Sequence, residues 1–305
     1  MEDLFFLRDI PEFDNWVVIK YIDKGWSEDK KFYIKDKSNN EFLLRLSEFE
    51  AFEHKRADFE RLLEVSKMGF DMSMPLRFGV CGDGRKAYML LTWVKGEDAI
   101  EVLPRLDENL QYKLGLQGGK ILKKIHSISA PSGLESWEIT HKRKIDRVIT
   151  KYLNCGVKIQ NHDAIINYIR ENEDYIKDRP LVLQHGDFHV GNMLITSEGH
   201  LGIIDFNRSG YGDPWDEYDR YMFTWDVSEA FANGQLHGYF NYSVPDEFFR
   251  VLCLYNARNI LASIPWSIPF GRKDLDNMLV YAEKVSKSYK GFTTHIPTWY
   301  KKANT

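Results

Sequence analysis

The stretch Gln184-His185-Gly186-Asp187-Phe188-His189-Val190-Gly191-Asn192 runs on through an apolar hairpin to Asp205-Phe206-Asn207, so polar residues flank both ends of two short apolar segments. Met193 to Thr196 and Leu201 to Ile204 read as strands, and Ser197-Glu198-Gly199-His200 reads as the four-residue loop between them. In a symmetric antiparallel hairpin centred between Glu198 and Gly199, Asn192 faces Asp205. Cross-strand neighbours hold their Cβ atoms about 4.5–5.5 Å apart, so an amide oxygen and a carboxylate placed there can hold a hard cation such as Mg²⁺. Asp187 lies on the loop entering the same site. A carboxylate base beside an Asn–Asp metal pair is an arrangement used for phosphoryl transfer, in which the base takes the acceptor's proton and metal ions absorb the developing charge. Asp and Asn beside glycine also serve as turn and cap residues, but three of them at this spacing favour chemistry. His185 and His189 are read as hydrogen-bonding supports of the loop rather than as metal ligands.

Upstream of this stretch the pattern is mostly that of strands. Trp16 to Ile22, Phe32 to Lys35, Phe42 to Leu46, Leu76 to Cys81 and Tyr88 to Leu91 are rich in β-branched, aromatic and aliphatic residues, with turn signals at Ser38-Asn39-Asn40 and Gly82-Asp83-Gly84. They are expected to form a five-strand antiparallel meander. One helix interrupts them from about Glu48 to Met68, with Phe52, Phe59, Leu62 and Leu63 on one face, and stops before Gly69 and Pro75. The order is β-β-β-α-β-β.

After Thr92-Trp93-Val94 the periodicity becomes helical. Asp107 is an expected N-cap for a helix carrying Leu110, Leu114, Ile121 and Ile125, with Gly118-Gly119 in its middle at a cost of about 1 kcal/mol per glycine. Further helices are expected over about 138–153, 162–177, 214–232, 246–263 and 273–290.

Composition narrows the function classes. Hydrophobic residues make up 43% and charged residues 28% of 305 residues, as in ordinary globular proteins. A net charge of −4 lacks the basic excess that nucleic-acid binding needs, and no apolar run approaches the roughly 20 residues of a membrane span. The acidic start Met1-Glu2-Asp3 does not resemble a signal peptide, so a cytoplasmic protein with no membrane partner is expected. Cys81, Cys155 and Cys253 have no ligand-like spacing and read as reduced packing residues. Nothing in the sequence addresses oligomeric state.

The run His185 to Asn192 followed by Ile203-Ile204-Asp205-Phe206 resembles the signature of the aminoglycoside phosphotransferase and choline kinase-like superfamily, relatives of the eukaryotic protein kinases. The β-β-β-α-β-β opening and helical second half extend the resemblance over almost the whole chain. It implies an α+β, bilobal protein kinase-like fold, with a β-rich nucleotide-binding lobe over 1–94. A larger helical lobe over 95–305 would contain the short hairpin, the catalytic loop and the acceptor site. It also implies Asp187 as catalytic base, Asn192 and Asp205 as Mg²⁺ ligands, and Thr92, Trp93 and Val94 as the segment whose backbone meets adenine.

The nucleotide lobe departs from the kinase pattern. The first turn, Asp23 to Lys30, carries one glycine, leaving Gly25 and Ser27 as the expected phosphate contacts. Where the resemblance implies a third-strand lysine paired to a helix glutamate, the chain has Arg45, with Glu60, or alternatively Glu53, as its expected partner. In Asp213-Pro214-Trp215-Asp216-Glu217-Tyr218-Asp219, Asp213 reads as a helix cap and Asp216 as structural, leaving Glu217 and Asp219 as candidates for an acidic wall near a cationic acceptor. The function expected is ATP- and Mg²⁺-dependent phosphorylation of a small-molecule hydroxyl, with GTP as an alternative donor. An aminoglycoside-type amino sugar comes first, ahead of choline, ethanolamine, homoserine, a sugar or a fructosamine-type amine. The rival readings are a nucleotide-binding pseudokinase, to which Arg45 and the irregular loop point, and a metal-dependent hydrolase using His185, Asp187 and His189.

Overall fold

The computed structural model describes residues 2–23 and 28–303. The phosphate-contact expectation at Gly25 and Ser27 falls outside the described residues. The chain forms two compact units, Met1–Glu97 with Met193–Ser209, and Asp98–Asn192 with Gly210–Thr305.

In the first unit a short helix, α1 (Glu2–Leu7), precedes β1 (Trp16–Ile22), β2 (Lys30–Asp36) and β3 (Glu41–Glu48). Then come α2 (Phe52–Val65), β4 (Asp71–Met72), β5 (Pro75–Cys81), β6 (Lys86–Thr92) and β7 (Glu97–Asp98). The expected meander is corrected in its last two strands, because the antiparallel order is β1-β2-β3-β6-β5. Strand β6 is buried from Ala87 to Leu91 on both of its faces and takes the inner position beside β3. Strand β5, which starts on Pro75 and carries the exposed Arg77, takes the edge, where a missing N–H and a charge cost least.

Alternation along β3 sorts its side chains. Leu44 and Leu46 join Phe32, Ile34 and Leu90 in a core that Leu7 and Ile10 help to close. The opposite face carries Leu43, Arg45 and Ser47, as a period of two requires. Helix α2 begins four residues later than expected, at Phe52, and lays Phe52 and Phe59 against Phe78 of β5. Leu63, expected on that face, is exposed instead.

The apolar hairpin belongs to this first unit as β9 (Met193–Ile195) and β10 (Leu201–Ile203), with β10 also pairing parallel to β4. Its register differs by one residue from the symmetric expectation: Leu201 pairs with Ile195, Gly202 with Leu194 and Ile203 with Met193. The loop is the three residues Ser197-Glu198-Gly199, closed by the Thr196 N–H donating to His200 O at 2.9 Å and by Gly199 at φ +76°. A three-residue hairpin places a left-handed residue at its last position, and glycine supplies it without strain. The ladder ends at Met193–Ile203, and Asp205 leaves the strand conformation at φ +65°, so an Asn192–Asp205 rung is not part of the ladder.

The second unit contains α3 (Ala99–Val102), α4 (Glu108–Ile125), α5 (Trp137–Asn154), α6 (His162–Glu171) and β8 (Val182–Gln184). It continues with β11 (Gly210–Gly212), α7 (Met222–Trp225), α8 (Glu229–Phe240), α9 (Asp246–Ser267) and α10 (Arg272–Ser288). Asp107 caps α4 as expected, accepting the Leu110 N–H at 3.0 Å. The single helix expected over 214–232 is replaced by a 3₁₀ turn at Asp216–Tyr218 and α7, before α8 begins on the Ser228 cap. Its acids are engaged in tertiary ion pairs that a continuous helix would point elsewhere.

The glycines of α4 are explained by its neighbour. A Cβ on Gly115 would stand 2.1 Å from Phe231 O and one on Gly119 2.0 Å from Gln235 O, while a Cβ on Gly234 or Gly238 of α8 would stand 2.2 Å from Tyr112 O or 2.3 Å from Leu116 O. Two helices with glycine every fourth residue bring their backbones together, and this contact offsets the propensity cost in each. Among the described residues no helix is long and apolar enough to cross a membrane.

Candidate active site

The loop His185–Asn192 follows β8, which pairs antiparallel with β11 through Gln184 and Gly210. That pairing sets the start of the loop beside the Asp213 segment, and Gln184 Nε2 donates to Asp213 O at 2.6 Å. The loop is then held from inside by Glu217. Its Oε2 accepts the His185 N–H at 2.8 Å, and its Oε1 accepts those of Gly186 at 2.9 Å and Phe188 at 3.2 Å. His126 adds a contact at 3.5 Å. The Glu217 side chain is 1% exposed. The sequence expectation that it faces an acceptor is therefore corrected: three backbone donors in a buried loop need an acceptor, and Glu217 supplies it.

The two histidines also serve the loop backbone. His185 Nδ1 accepts the Asp187 N–H at 3.2 Å, and His189 Nδ1 accepts the Gly191 N–H at 3.0 Å. Each thereby takes the tautomer with its proton on Nε2 when neutral. Asn192 Nδ2 donates to Asp187 O at 2.9 Å, which orients the amide and leaves Oδ1 as the atom suited to a cation.

Arg220 Nη1 donates to Asp187 Oδ1 at 3.0 Å and to Gly186 O at 3.2 Å, fixing the carboxylate against its own loop. Asp219 raises the Arg220 pKa further above its ordinary high value against the opposing effect of burial, and Asp187 adds to this, so the guanidinium stays charged. Nothing in the local sequence pattern marks Arg220, because its partner lies 33 residues away.

Behind these residues lies a buried ionic cluster. Arg258 reaches Asp216 at 2.9 Å and Asp219 at 2.6 Å, and Lys144 stands 3.4 Å from Asp216. Burial opposes ionisation of Asp216, but Arg258 and Lys144 outweigh it and hold the carboxyl well below the usual range. Asp219 is thus spent on Arg258, which corrects its expected place in an acidic wall. Asp213 caps Trp215 at 3.1 Å and takes both arms of Arg179, and burial nonetheless pushes its pKa up.

In the first unit, Arg45 is 6% exposed on an inner strand, and its partners are not the glutamates expected. Its Nε and Nη2 lie 3.0 and 2.9 Å from Asp29 Oδ2, and its Nη1 lies 2.7 Å from Asp205 Oδ1. Glu60 sits on the outer face of α2, 67% exposed, where it meets Arg56 at 3.9 Å, and Glu53 also pairs with Arg56. The helix periodicity explains the correction: Lys55, Asp58 and Leu62 share the face turned to the sheet, and Glu60 and Glu53 do not. Asp29 and Lys55 are the residues sequence reasoning missed, although the spacing of Lys55 to Leu62 carried the signal.

Of the expected adenine segment, the Thr92 N–H donates to Met74 O at 2.9 Å and the Trp93 N–H to Glu41 O at 3.0 Å. Both donors are spent within the unit, which corrects the expectation that they meet adenine.

The model of the phosphotransferase enzyme family matches residues 18–248. No curated protein sequence matches the chain. Among solved structures, a choline/ethanolamine kinase family protein from Mesorhizobium loti aligns with a TM-score of 0.68 at 17% identity, over 95% of this chain and 96% of that one. The GDP complex of aminoglycoside 2'-phosphotransferase-IIIa aligns with a TM-score of 0.68 at 14% identity, over 92% and 96%. A thermostable mutant of aminoglycoside phosphotransferase APH(4)-Ia, in ternary complex with ADP and hygromycin B, aligns with a TM-score of 0.64 at 16% identity, over 91% and 96%. These likenesses show a kinase-like α+β fold. With the family match taking in both the sheet-bearing and the helical unit, the chain belongs to the phosphotransferase enzyme family, as a small-molecule kinase.

Proposed function

We propose that the protein transfers the γ-phosphoryl group of ATP to a hydroxyl of a small molecule, with Asp187 as the base and Mg²⁺ held by Asn192 and Asp205. The observation that carries this reading is the orientation of Asp187, gripped by Arg220 on a loop that Glu217 pins through three backbone N–H groups. A carboxylate held this way can accept the acceptor's proton without reorganising. The donor set suits a hard cation, since Asn192 offers an amide oxygen and Asp205 a carboxylate; Mg²⁺ is usually bound by one or two carboxylates plus water and substrate phosphates. When bound, Mg²⁺ supplies charge neutralisation at the phosphate oxygens. In this reading Arg45 contacts phosphate, and Val94, next to Trp93, meets adenine. GTP is the alternative donor, supported by the GDP complex of one structural neighbour.

For the acceptor, the hygromycin B complex of a neighbour supports an aminoglycoside-type amino sugar first, and the choline/ethanolamine kinase family neighbour supports an amino alcohol next. Neither draws on Glu217 or Asp219, whose carboxylates are engaged internally. The test is ADP release with Mg-ATP or Mg-GTP across amino sugars, choline, ethanolamine, homoserine, fructosamine-type amines and neutral sugars, for the wild type and Asp187→Asn. The expected result is turnover on one class, lowered about 10²–10⁴-fold in the variant. Nucleotide binding without turnover on any acceptor would favour the pseudokinase reading, and an Asn variant retaining more than half the wild-type rate would remove Asp187 as base.

A further inference from the structure

The cations of the first unit are arranged in an unusual way. In protein kinases the third-strand lysine is oriented by a glutamate on the following helix. Here the strand supplies Arg45, and α2 sends it a second cation, Lys55, while the helix's own buried acid, Asp58, pairs with Arg61 and His54. The acid shared by the two cations is Asp29, immediately before β2. Asp29 Oδ2 takes Arg45 Nε at 3.0 Å, Arg45 Nη2 at 2.9 Å and Lys55 Nζ at 2.8 Å, while Oδ1 takes Ser47 Oγ at 2.8 Å. A carboxylate has about four acceptor positions, so Asp29 is fully committed to holding this cluster. Burial opposes its ionisation, but Arg45 and Lys55 prevail and hold its pKa below the usual value.

The cluster opens on a pocket. Asp29, Arg45, Ser47, Lys55, Asp58 and Asp205 line it together with apolar side chains such as Leu43 and Met89. Lys55 uses one of its three N–H donors on Asp29 and its side chain is 15% exposed, against 5% for Asp29. An ammonium has two further donors to direct at a ligand, and the ligand such a pair of cations selects is a phosphate chain.

We propose that Lys55 is a second phosphate-contacting cation beside Arg45, and that Asp29 is the positioning residue that takes over the orienting task of a helix glutamate. This rests on the nucleotide-dependent reading given above. It accounts for two departures from the kinase pattern together: the third-strand residue is an arginine, whose fork meets Asp29 through Nε and Nη2 and Asp205 through Nη1, and the helix acid Asp58 is left to Arg61 because Asp29 already holds Arg45.

The experiment is calorimetric titration of the full chain with ATP, ADP and adenosine in the presence of Mg²⁺, for wild type, Lys55→Met, Lys55→Arg and Asp29→Asn. The wild type should bind more tightly with each added phosphate. Lys55→Met should lose about 10- to 100-fold in ATP and ADP affinity, the worth of a charge-assisted hydrogen bond, while adenosine binding stays within twofold. Lys55→Arg should restore most of the loss, and Asp29→Asn should reproduce the phosphate-specific loss by releasing Arg45. Unchanged ATP affinity in Lys55→Met would overturn the proposal, as would an equal loss for adenosine, which would mark a general folding effect. A wild type that binds ATP no better than adenosine would instead overturn the nucleotide reading on which the proposal stands.

Discussion

Glu217 holds the backbone N–H of His185 at 2.8 Å from inside the protein, so a residue that its sequence context suggests for substrate recognition is the buckle of the loop that carries Asp187. The same carboxylate takes Gly186 and Phe188, and the loop geometry at Asp187 depends on it.

Removing that carboxylate should therefore act on stability first. Glu217→Ala leaves buried donors without an acceptor, at about 1–3 kcal/mol each, and a loss of about 3–5 kcal/mol is expected with relaxation and water entry. Glu217→Gln, which keeps one carbonyl oxygen, should lose about half as much. Urea unfolding of both variants checks this. An unchanged midpoint accompanied by weaker acceptor binding would put Glu217 in the acceptor site after all.

Asp205 should show a different signature from Asp187. Asp205 accepts from Arg45 at 2.7 Å; on the proposed reading it also offers oxygen to a cation, so Asp205→Ala is expected to flatten the Mg²⁺ dependence of nucleotide binding, whereas Asp187→Asn leaves that dependence as in the wild type. Mg²⁺ titrations of ATP affinity in the two variants decide it. Superimposable curves for Asp205→Ala and wild type would contradict the metal role.

The α4–α8 contact gives a prediction about folding alone. An alanine at Gly119 would place its methyl 2.0 Å from Gln235 O, and backbone cannot rotate away as a side chain can. Although alanine is the better helix former by about 1 kcal/mol, Gly119→Ala should destabilise by about 1–3 kcal/mol through overpacking. Thermal unfolding that shows a raised midpoint would mean the helices separate at little cost.

His141 makes stability pH-dependent in a definable window. Its Nε2 takes Arg258 Nη1 at 2.5 Å, so the ring is neutral, and burial followed by the Arg258 charge holds its pKa well below 6.5. The unfolded chain binds a proton there below about pH 6.5 that the native ring refuses. The contribution is thus fully present above about pH 6.5 and declines as pH falls below it. Asp216 faces the same ring with a lowered pKa, which puts its own transition below that of the ring, and the Lys144 charge adds to that of Arg258 in keeping the ring neutral. His237 is shifted down as well, chiefly by burial, and a variant is needed to isolate His141. The loss of melting temperature from pH 7 to pH 5 should be smaller in His141→Gln than in wild type; equal losses would exclude His141 as the source.

The sequence alone determined the β-β-β-α-β-β order of the five-stranded sheet with its helix, and the place of the polar loop beside the short hairpin. Strand alternation around Leu44, the Asp107 cap and the apolar segments beside Asn192 and Asp205 are local signals, set by side-chain periodicity and backbone donors within a few residues. Tertiary structure decided which charge meets which. Arg45 chose Asp29 over Glu60 because helix phase turns Lys55, and not Glu60, toward the sheet. Glu217 and Asp219 turned inward because buried N–H groups and the guanidinium of Arg258, all distant in sequence, would otherwise lack partners. The inner place of β6 and the Gly115–Gly119 contact with α8 likewise depend on surfaces that exist only once the chain has folded.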